Sequence, residues 1–269
     1  MAAVSQALVE FANHHRQPPG PGIEVIATPR YRITLQPDYP VPGPNNAAWI
    51  RCGDGDPDDL IREVRAIVKP RHLPIMWTLD PDTEPVNFAG HLAANGVMPE
   101  AHADEVAVMV LGIEAAVDPP SIPRLELRDA LADAESFRLS DAVNAEAFGE
   151  VERGVTPEQA AAQERRRSNQ LAAGNRRVVL ATIDGEPAGS AGLTLFPPAG
   201  AIINGGAVRQ KFRGLGVYRA LVAERMRMAR EAGVAGLAVW GGPMSAPILG
   251  RLGFEKVGWR KFYLDTSTS

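Results

Sequence analysis

Asn204-Gly205-Gly206-Ala207-Val208-Arg209-Gln210-Lys211-Phe212-Arg213-Gly214-Leu215-Gly216-Val217-Tyr218-Arg219-Ala220-Leu221 carries the strongest pattern in the sequence. A β-prone segment, 201–208, runs into a short basic loop. Two glycines follow, and then apolar Leu221, Val222 and Met226 recur at helical spacing. The first turn of a helix carries unpaired N–H groups and a partial positive charge. Gly214 and Gly216 remove side chains there, so a phosphate can come close to the backbone. Arg209, Lys211 and Arg213 add positive potential at the same point. The stretch therefore reads as a diphosphate cradle. The plain alternative is a glycine turn that only joins strand to helix. A Walker loop is excluded because no Gly-Lys-Ser/Thr follows, and the position that a dinucleotide fingerprint gives its third small residue is Arg219.

On the N-terminal side of this stretch, 178–183 predicts a strand, Asp184-Gly185 a two-residue hairpin turn and 188–196 its partner. Upstream, 125–127 predicts a strand and 129–148 an amphipathic helix. A second helix starts at Thr156-Pro157-Glu158, with Thr as N-cap and Pro at the first position, and stops at Gly174. Downstream, 216–232 is a helix stopped by Gly233, and 236–240, 245–252 and 257–264 form a strand–helix–strand unit. Before 118–123 (Asp-Pro-Pro-Ser-Ile-Pro), a linker stiffened by paired prolines, the pattern predicts a helix near the N-terminus, strands at 31–35, 73–79 and 106–113, and helices at 58–68 and 86–94. Hairpin strands followed by strand–helix–strand units give an α/β, α+β-like mixed sheet, with domains at 1–122 and 123–269. Leu92-Ala-Ala-Asn-Gly96-Val97 and Leu249-Gly-Arg-Leu-Gly253-Phe254, each after a strand bearing a Trp (Trp77, Trp240), hint at an internal repeat.

Charge divides the same way. Residues 1–122 hold 8 Lys+Arg against 16 Asp+Glu, and residues 123–269 hold 20 against 16, which places an anionic ligand on the second half. The basic excess is too small and too interleaved for nucleic acid. No apolar run is long enough to span a membrane, and the N-terminus has no secretory pattern. With a single cysteine, Cys52, neither an internal disulfide nor a Cys-rich metal site can form. These features predict a cytoplasmic protein without metal, membrane or nucleic-acid partners, acting as a monomer or homodimer. All five His (14, 15, 72, 91, 102) lie in the first half without ligand spacing. The second half has no His or Cys, so a Ser-His-Asp triad or a Cys nucleophile is unavailable there.

Arg213-x-x-Gly216, following a strand that ends Gly206-Ala207-Val208, resembles the pyrophosphate motif of the GNAT superfamily of acyl-CoA-dependent N-acyltransferases. The segment 245–254, closing in Leu-Gly-Phe254, resembles that superfamily's second motif, and the element order over 125–264 matches as well. The resemblance implies a GNAT fold in the C-terminal half. It also implies N-acyl transfer from acetyl-CoA, or another acyl-CoA, as co-substrate to a small-molecule or peptide amine. The cofactor contacts it implies are Ala207, Val208, Arg213, Gly214, Leu215, Gly216, Val217, Tyr218 and Ser245, with the Val208 N–H facing the thioester oxygen. Two departures stand out: the family's small residue is Tyr218 here, and the tyrosine acid of many members is Leu249. Ser245, Glu146, Glu150 and Glu152 are the candidate acid and bases; a helix cap and exposed carboxylates are their plainer roles. Asn204 stands where some members carry a carboxylate base. The first half resembles a degenerate GNAT unit, in which Arg51-Cys-Gly-Asp-Gly-Asp-Pro-Asp-Asp59 replaces the phosphate loop and its four Asp repel a diphosphate. A non-catalytic acyl-CoA sensor is the competing function, favoured by the missing tyrosine.

Overall fold

The computed structural model describes residues 4–39, 43–53, 55–101, 105–147 and 156–268. Contacts divide the chain into two compact units. One comprises Met1–His15, Val108–Trp240 and Pro247–Val257; the other comprises Arg16–Ala107, Gly241–Ala246 and Gly258–Ser269.

In the first unit, α1 (Gln6–His14) is capped by the Ser5 hydroxyl and buries Leu8, Phe11 and Ala12. These pack on Val108 and Val110 of β6 (Glu105–Gly112) and on Ile202 and Ala238. Next come β7 (Leu125–Asp129), α4 (Ala134–Ala147), α5 (Pro157–Ala173), β8 (Arg176–Ile183), β9 (Glu186–Phe196) and β10 (Gly200–Val208). After these follow α6 (Val217–Glu231), β11 (Gly236–Gly241) and α7 (Ala246–Arg251). The strand order in this unit is β6-β11-β10-β9-β8-β7. Its pairs are antiparallel from β7 to β10, while β10 and β11 run parallel. The Thr156 capping box and the left-handed Gly174 bound α5 as its sequence predicts. The hairpin turn has positive φ at Asp184 and Gly185, the type I′ requirement. Helix α4 begins five residues later than its periodicity suggests. The carboxylate of Asp129 accepts from the Leu131 N–H and that of Asp133 from the Ser136 N–H, so turn and cap chemistry occupy the start of the apolar pattern.

In the second unit the order is β1 (Glu24–Ala27), β2 (Arg32–Leu35), β3 (Asn46–Ala48), β4 (Ile75–Leu79) and β12 (Glu255–Asp265), with β5 (Met98–Pro99) also pairing with β12. The two pairs from β1 to β3 are antiparallel and β3–β4 is parallel. Helices α2 (Pro57–Val68) and α3 (Phe88–Ala94) complete it. Its core gathers Leu60, Ile61 and Val64 of α2 around Trp77, Phe88 and Leu92.

The hinted repeat is visible within each unit. Each has an antiparallel run, β7–β10 in one and β1–β3 in the other, then a parallel strand, β11 or β4, and a short helix. The paired motifs close alike: Val97 N–H donates to Leu92 O at 2.9 Å, and Phe254 N–H to Leu249 O at 3.1 Å, around left-handed Gly96 and Gly253. This is the Schellman closure. The Trp residues do not correspond, since Trp77 is fully buried in mid-strand and Trp240 is exposed near a strand end.

The two contact units do not coincide with the halves 1–122 and 123–269. Helix α1 buries its apolar face in the unit of residues 108–240, and the C-terminal strand pairs with β4 in the other unit, from Lys261↔Leu79 to Asp265↔Ile75. Each half by sequence thus lends an end segment to the other's unit.

Candidate functional site

The site is built where β10 leaves β11. The two strands pair only at Ala201↔Leu237 and Ile202↔Ala238; β10 then continues to Val208 bonded to β9 alone. A register shift between Asn204 and Ala207 marks a bulge in β10 at the point of divergence. The Arg209 N–H bonds to Ala188 O at 3.0 Å. By the alternation of an antiparallel ladder, the N–H and C=O of Val208 then face away from β9, toward the opening. Its carbonyl accepts from Arg213 Nε at 3.2 Å, so Arg213 folds back over the strand end.

The loop after β10 is one short 3-10 turn, Gln210–Phe212, followed by Gly214 and Gly216 at φ 80° and 91°. Both values are left-handed and call for glycine. Space around a Cβ at Gly214 is empty to 4 Å. At Gly216 a Cβ would lie 3.1 Å from Pro120, so the 118–123 segment packs against the loop and that glycine serves this close approach. Gly216 is the N-cap of α6 and supplies no side-chain cap, which leaves the first-turn N–H groups for a ligand. Arg209 pairs with Glu146 at 2.9 Å and Lys211 with Glu186, whereas Arg213 forms no ion pair among the described residues. An open Gly214, an uncapped helix start and a guanidinium that makes no ion pair among the described residues fit a diphosphate.

The predicted cofactor residues from Ala207 to Tyr218 come together here. Ala207 and Val217 are buried and Leu215 is exposed. Tyr218 is half-buried and turned back onto β10, so that a Cβ at Gly206 would lie 3.0 Å from its Cε2. Beneath it, Arg225 of α6 is fully buried. Its Nε donates to Leu221 O at 3.0 Å and its Nη1 to Gly192 O at 3.4 Å, while Nη2 has no partner. Burial pulls its pKa down to about 10, with the neighbouring Tyr218 opposing the shift. Sequence reading missed Arg225; a lone Arg at position i+4 from Leu221, on the apolar face of α6, was the available signal. On the other side of the sheet, Arg176 donates to Asn204 Oδ1 at 2.5 Å and Thr194 Oγ1 at 2.8 Å. Ser140 and Asn144 of α4 meet Ser190 there.

The catalytic candidates fare differently. Glu146 is held by Arg209, an ion pair that ties α4 to the end of β10. Glu150 and Glu152 lie outside the described residues, as do Asp54 and His102. Ser245 is grouped with the second unit and its hydroxyl donates to Gly242 O at 3.4 Å. Leu249 is fully buried, a core position rather than a site position.

The sequence of 142–245 matches the model of the acetyltransferase (GNAT) family. The match spans the segment from α4 to the residues after β11. Solved structures share the fold over most of the chain. A GCN5-related N-acetyltransferase from Kribbella flavida aligns with TM-score 0.64 at 17% identity, covering 91% of this chain and 90% of its own. A functionally unknown conserved protein from Staphylococcus epidermidis aligns at 0.68 and 13%, covering 97% and 99%. A tandem GNAT protein from the clavulanic acid biosynthesis pathway aligns at 0.58 and 17%, covering 98% and 89%. No curated protein matches the sequence. At these identities the fold is what is shared, and it is the two-part GNAT fold that the motifs imply. The Arg213–Tyr218 stretch lies inside the matched segment.

Proposed function

We propose that the GNAT domain binds an acyl-coenzyme A, acetyl-CoA foremost, and catalyses direct transfer of its acyl group to a primary amine. The observation that carries this reading is the parting of β10 and β11 beyond Ile202, beside a helix that starts at an uncapped left-handed glycine. The bound thioester supplies an activated acyl carbonyl. Arg213 and the N–H groups from Gly214 to Tyr218 hold the diphosphate through charge and the helix start. The backbone of Ala207 and Val208 receives the pantetheine arm, and the Val208 N–H polarises the carbonyl as charge develops on its oxygen.

The amine must lose a proton and the thiolate must leave. With Leu249 buried, the thiolate departs into water. A thiol with a pKa of about 8.5 makes this a small cost near neutrality. Glu150 or Glu152 takes the amine proton, since Glu146 is committed to Arg209 and Asn204 has no basic group. The test is thiol release from acetyl-CoA against a panel of amines, aminoglycosides and peptides. Acceptor-dependent release supports transfer. Tight acetyl-CoA binding without release across the panel supports the sensor reading instead, for which the buried Leu249 speaks. In the transferase reading, replacing Glu150 and Glu152 together by Gln lowers kcat/KM by about 100-fold. Ser245→Ala leaves the rate within about threefold if that hydroxyl only holds its turn.

A further inference from the structure

The acidic half of the sequence holds an unexpected cationic cavity. At the tip of the β1–β2 hairpin a cavity of about 190 Å3 is lined by Arg16, Thr28, Tyr31, Arg32, Trp49 and Arg51, among others. Three of the eight basic residues in 1–122 converge on it, although that half carries sixteen acids. Arg16 lies over the Trp49 ring at 4.0 Å and Arg51 at 5.4 Å, so cation–π contacts hold both heads in place before any ligand arrives. Trp49 itself has φ 58°, a left-handed backbone that a bulky residue keeps only where its surroundings impose it, and such strain collects at ligand sites.

The charge is poorly compensated. Asp80 and Asp82 reach Arg51 at 3.5 and 3.6 Å, and Asp80 also faces the buried Arg260. Arg16 and Arg32 form no ion pair among the described residues. Arg32 gives one N–H to the Gln17 carbonyl and keeps its Nε buried without a partner. Burial, together with the charge of Arg16, disfavours its protonated form. Guanidinium forks match tetrahedral and planar oxyanions, and two forks without an ion pair, beside a third shared with Asp80 and Asp82, favour a dianion in one small cavity.

We propose that this cavity is a second ligand site, distinct from the Arg213 loop, that binds a small phosphate-bearing dianion. The site binds through Arg16, Arg32 and Arg51, and Trp49 is the platform that positions Arg16 and Arg51.

The experiment is titration calorimetry on the full chain at low ionic strength, in chloride buffer, with inorganic phosphate and with phenyl phosphate. It is run on wild type, Arg213→Glu, Arg16→Gln and Arg32→Gln. Saturable binding that survives Arg213→Glu and weakens at least tenfold in Arg16→Gln and Arg32→Gln is expected. Arg16 is exposed, so its variant keeps the wild-type melting temperature and carries the test if Arg32→Gln fails to fold. Tighter binding of phenyl phosphate identifies a phosphate ester as the ligand form, and equal binding identifies free phosphate; both support the site. No saturable binding of either probe to wild type overturns the proposal. So does binding that Arg16→Gln leaves unchanged, or binding abolished by Arg213→Glu alone.

Discussion

Tyr218 stands where the resemblance implies a small residue, and the structure shows how its ring is accommodated. Its ring rests on Gly206, where no Cβ stands in the way, and against the buried Arg225. Gly206→Ala places a methyl 3.0 Å from Cε2 and displaces the ring. The expected cost is about 1–2 kcal/mol by chemical denaturation. Tyr218→Ala relieves it, so the two changes are strongly non-additive in a double-mutant cycle. Additive losses contradict the packing described. Arg225 makes a sharper case. A fully buried guanidinium held by two carbonyls, with one nitrogen unpartnered, contributes little net stability. Arg225→Met is therefore expected to unfold within about 1 kcal/mol of wild type, or above it; a loss of more than about 3 kcal/mol marks a structural or ligand role beyond packing. Neither feature was legible from the sequence, because both depend on which strand lies under the helix.

At the scale of elements, local chemistry wrote itself plainly into the sequence. The capping box at Thr156, the Asp184-Gly185 turn and the Leu-x-x-x-Gly-apolar closures all formed as their residue types require. Strands β1, β3 and β5 went unread: four, three and two residues long, they lie among prolines and glycines and are defined by their partners rather than by their own pattern. The opening between β10 and β11 was implied only by family resemblance, since divergence of two strands has no local signature. Leu249, which the resemblance sets where many members have a tyrosine, is a core anchor of α7. Leu249→Ala should cost about 2–4 kcal/mol in denaturant unfolding. If the proton balance rests on Glu150 and Glu152, kcat/KM levels off above the pKa of the acting carboxylate. The Gln variants instead climb tenfold per pH unit up to the pKa of the acceptor amine. A wild-type profile with that same climb contradicts a protein base.

At the scale of the whole molecule, the two halves are legible as a charge step and as a repeated order of elements, while the exchange of their end segments is not. Helix α1 has an ordinary amphipathic face, and nothing in its sequence names Val108, Val110 and Ile202 as its partners. The C-terminal strand is fixed in its unit by Asp265, which is 2% exposed, accepts from Arg65 at 2.7 Å and lies 3.4 Å from the Trp77 indole N–H. Burial pushes the Asp265 pKa up, but the bonds from Arg65 and Ser267 outweigh it, and the net shift is downward. A folded-state pKa below the unfolded value means that this stabilisation is complete above about pH 4 and is lost as pH falls through the folded pKa. Asp265→Asn should cost about 2–3 kcal/mol at pH 7, less than a fully enclosed pair because Arg65 keeps some solvent. The deficit should shrink in acid, and a deficit independent of pH contradicts the ion pair's role. The central claim, an acyl-coenzyme A site at the Arg213 loop, is tested most directly by titrating acetyl-CoA calorimetrically into wild type and Arg213→Glu. Wild type should bind one-to-one, and the affinity should fall at least about tenfold in the variant, with the fold intact. No binding to wild type, or equal binding to both proteins, contradicts it.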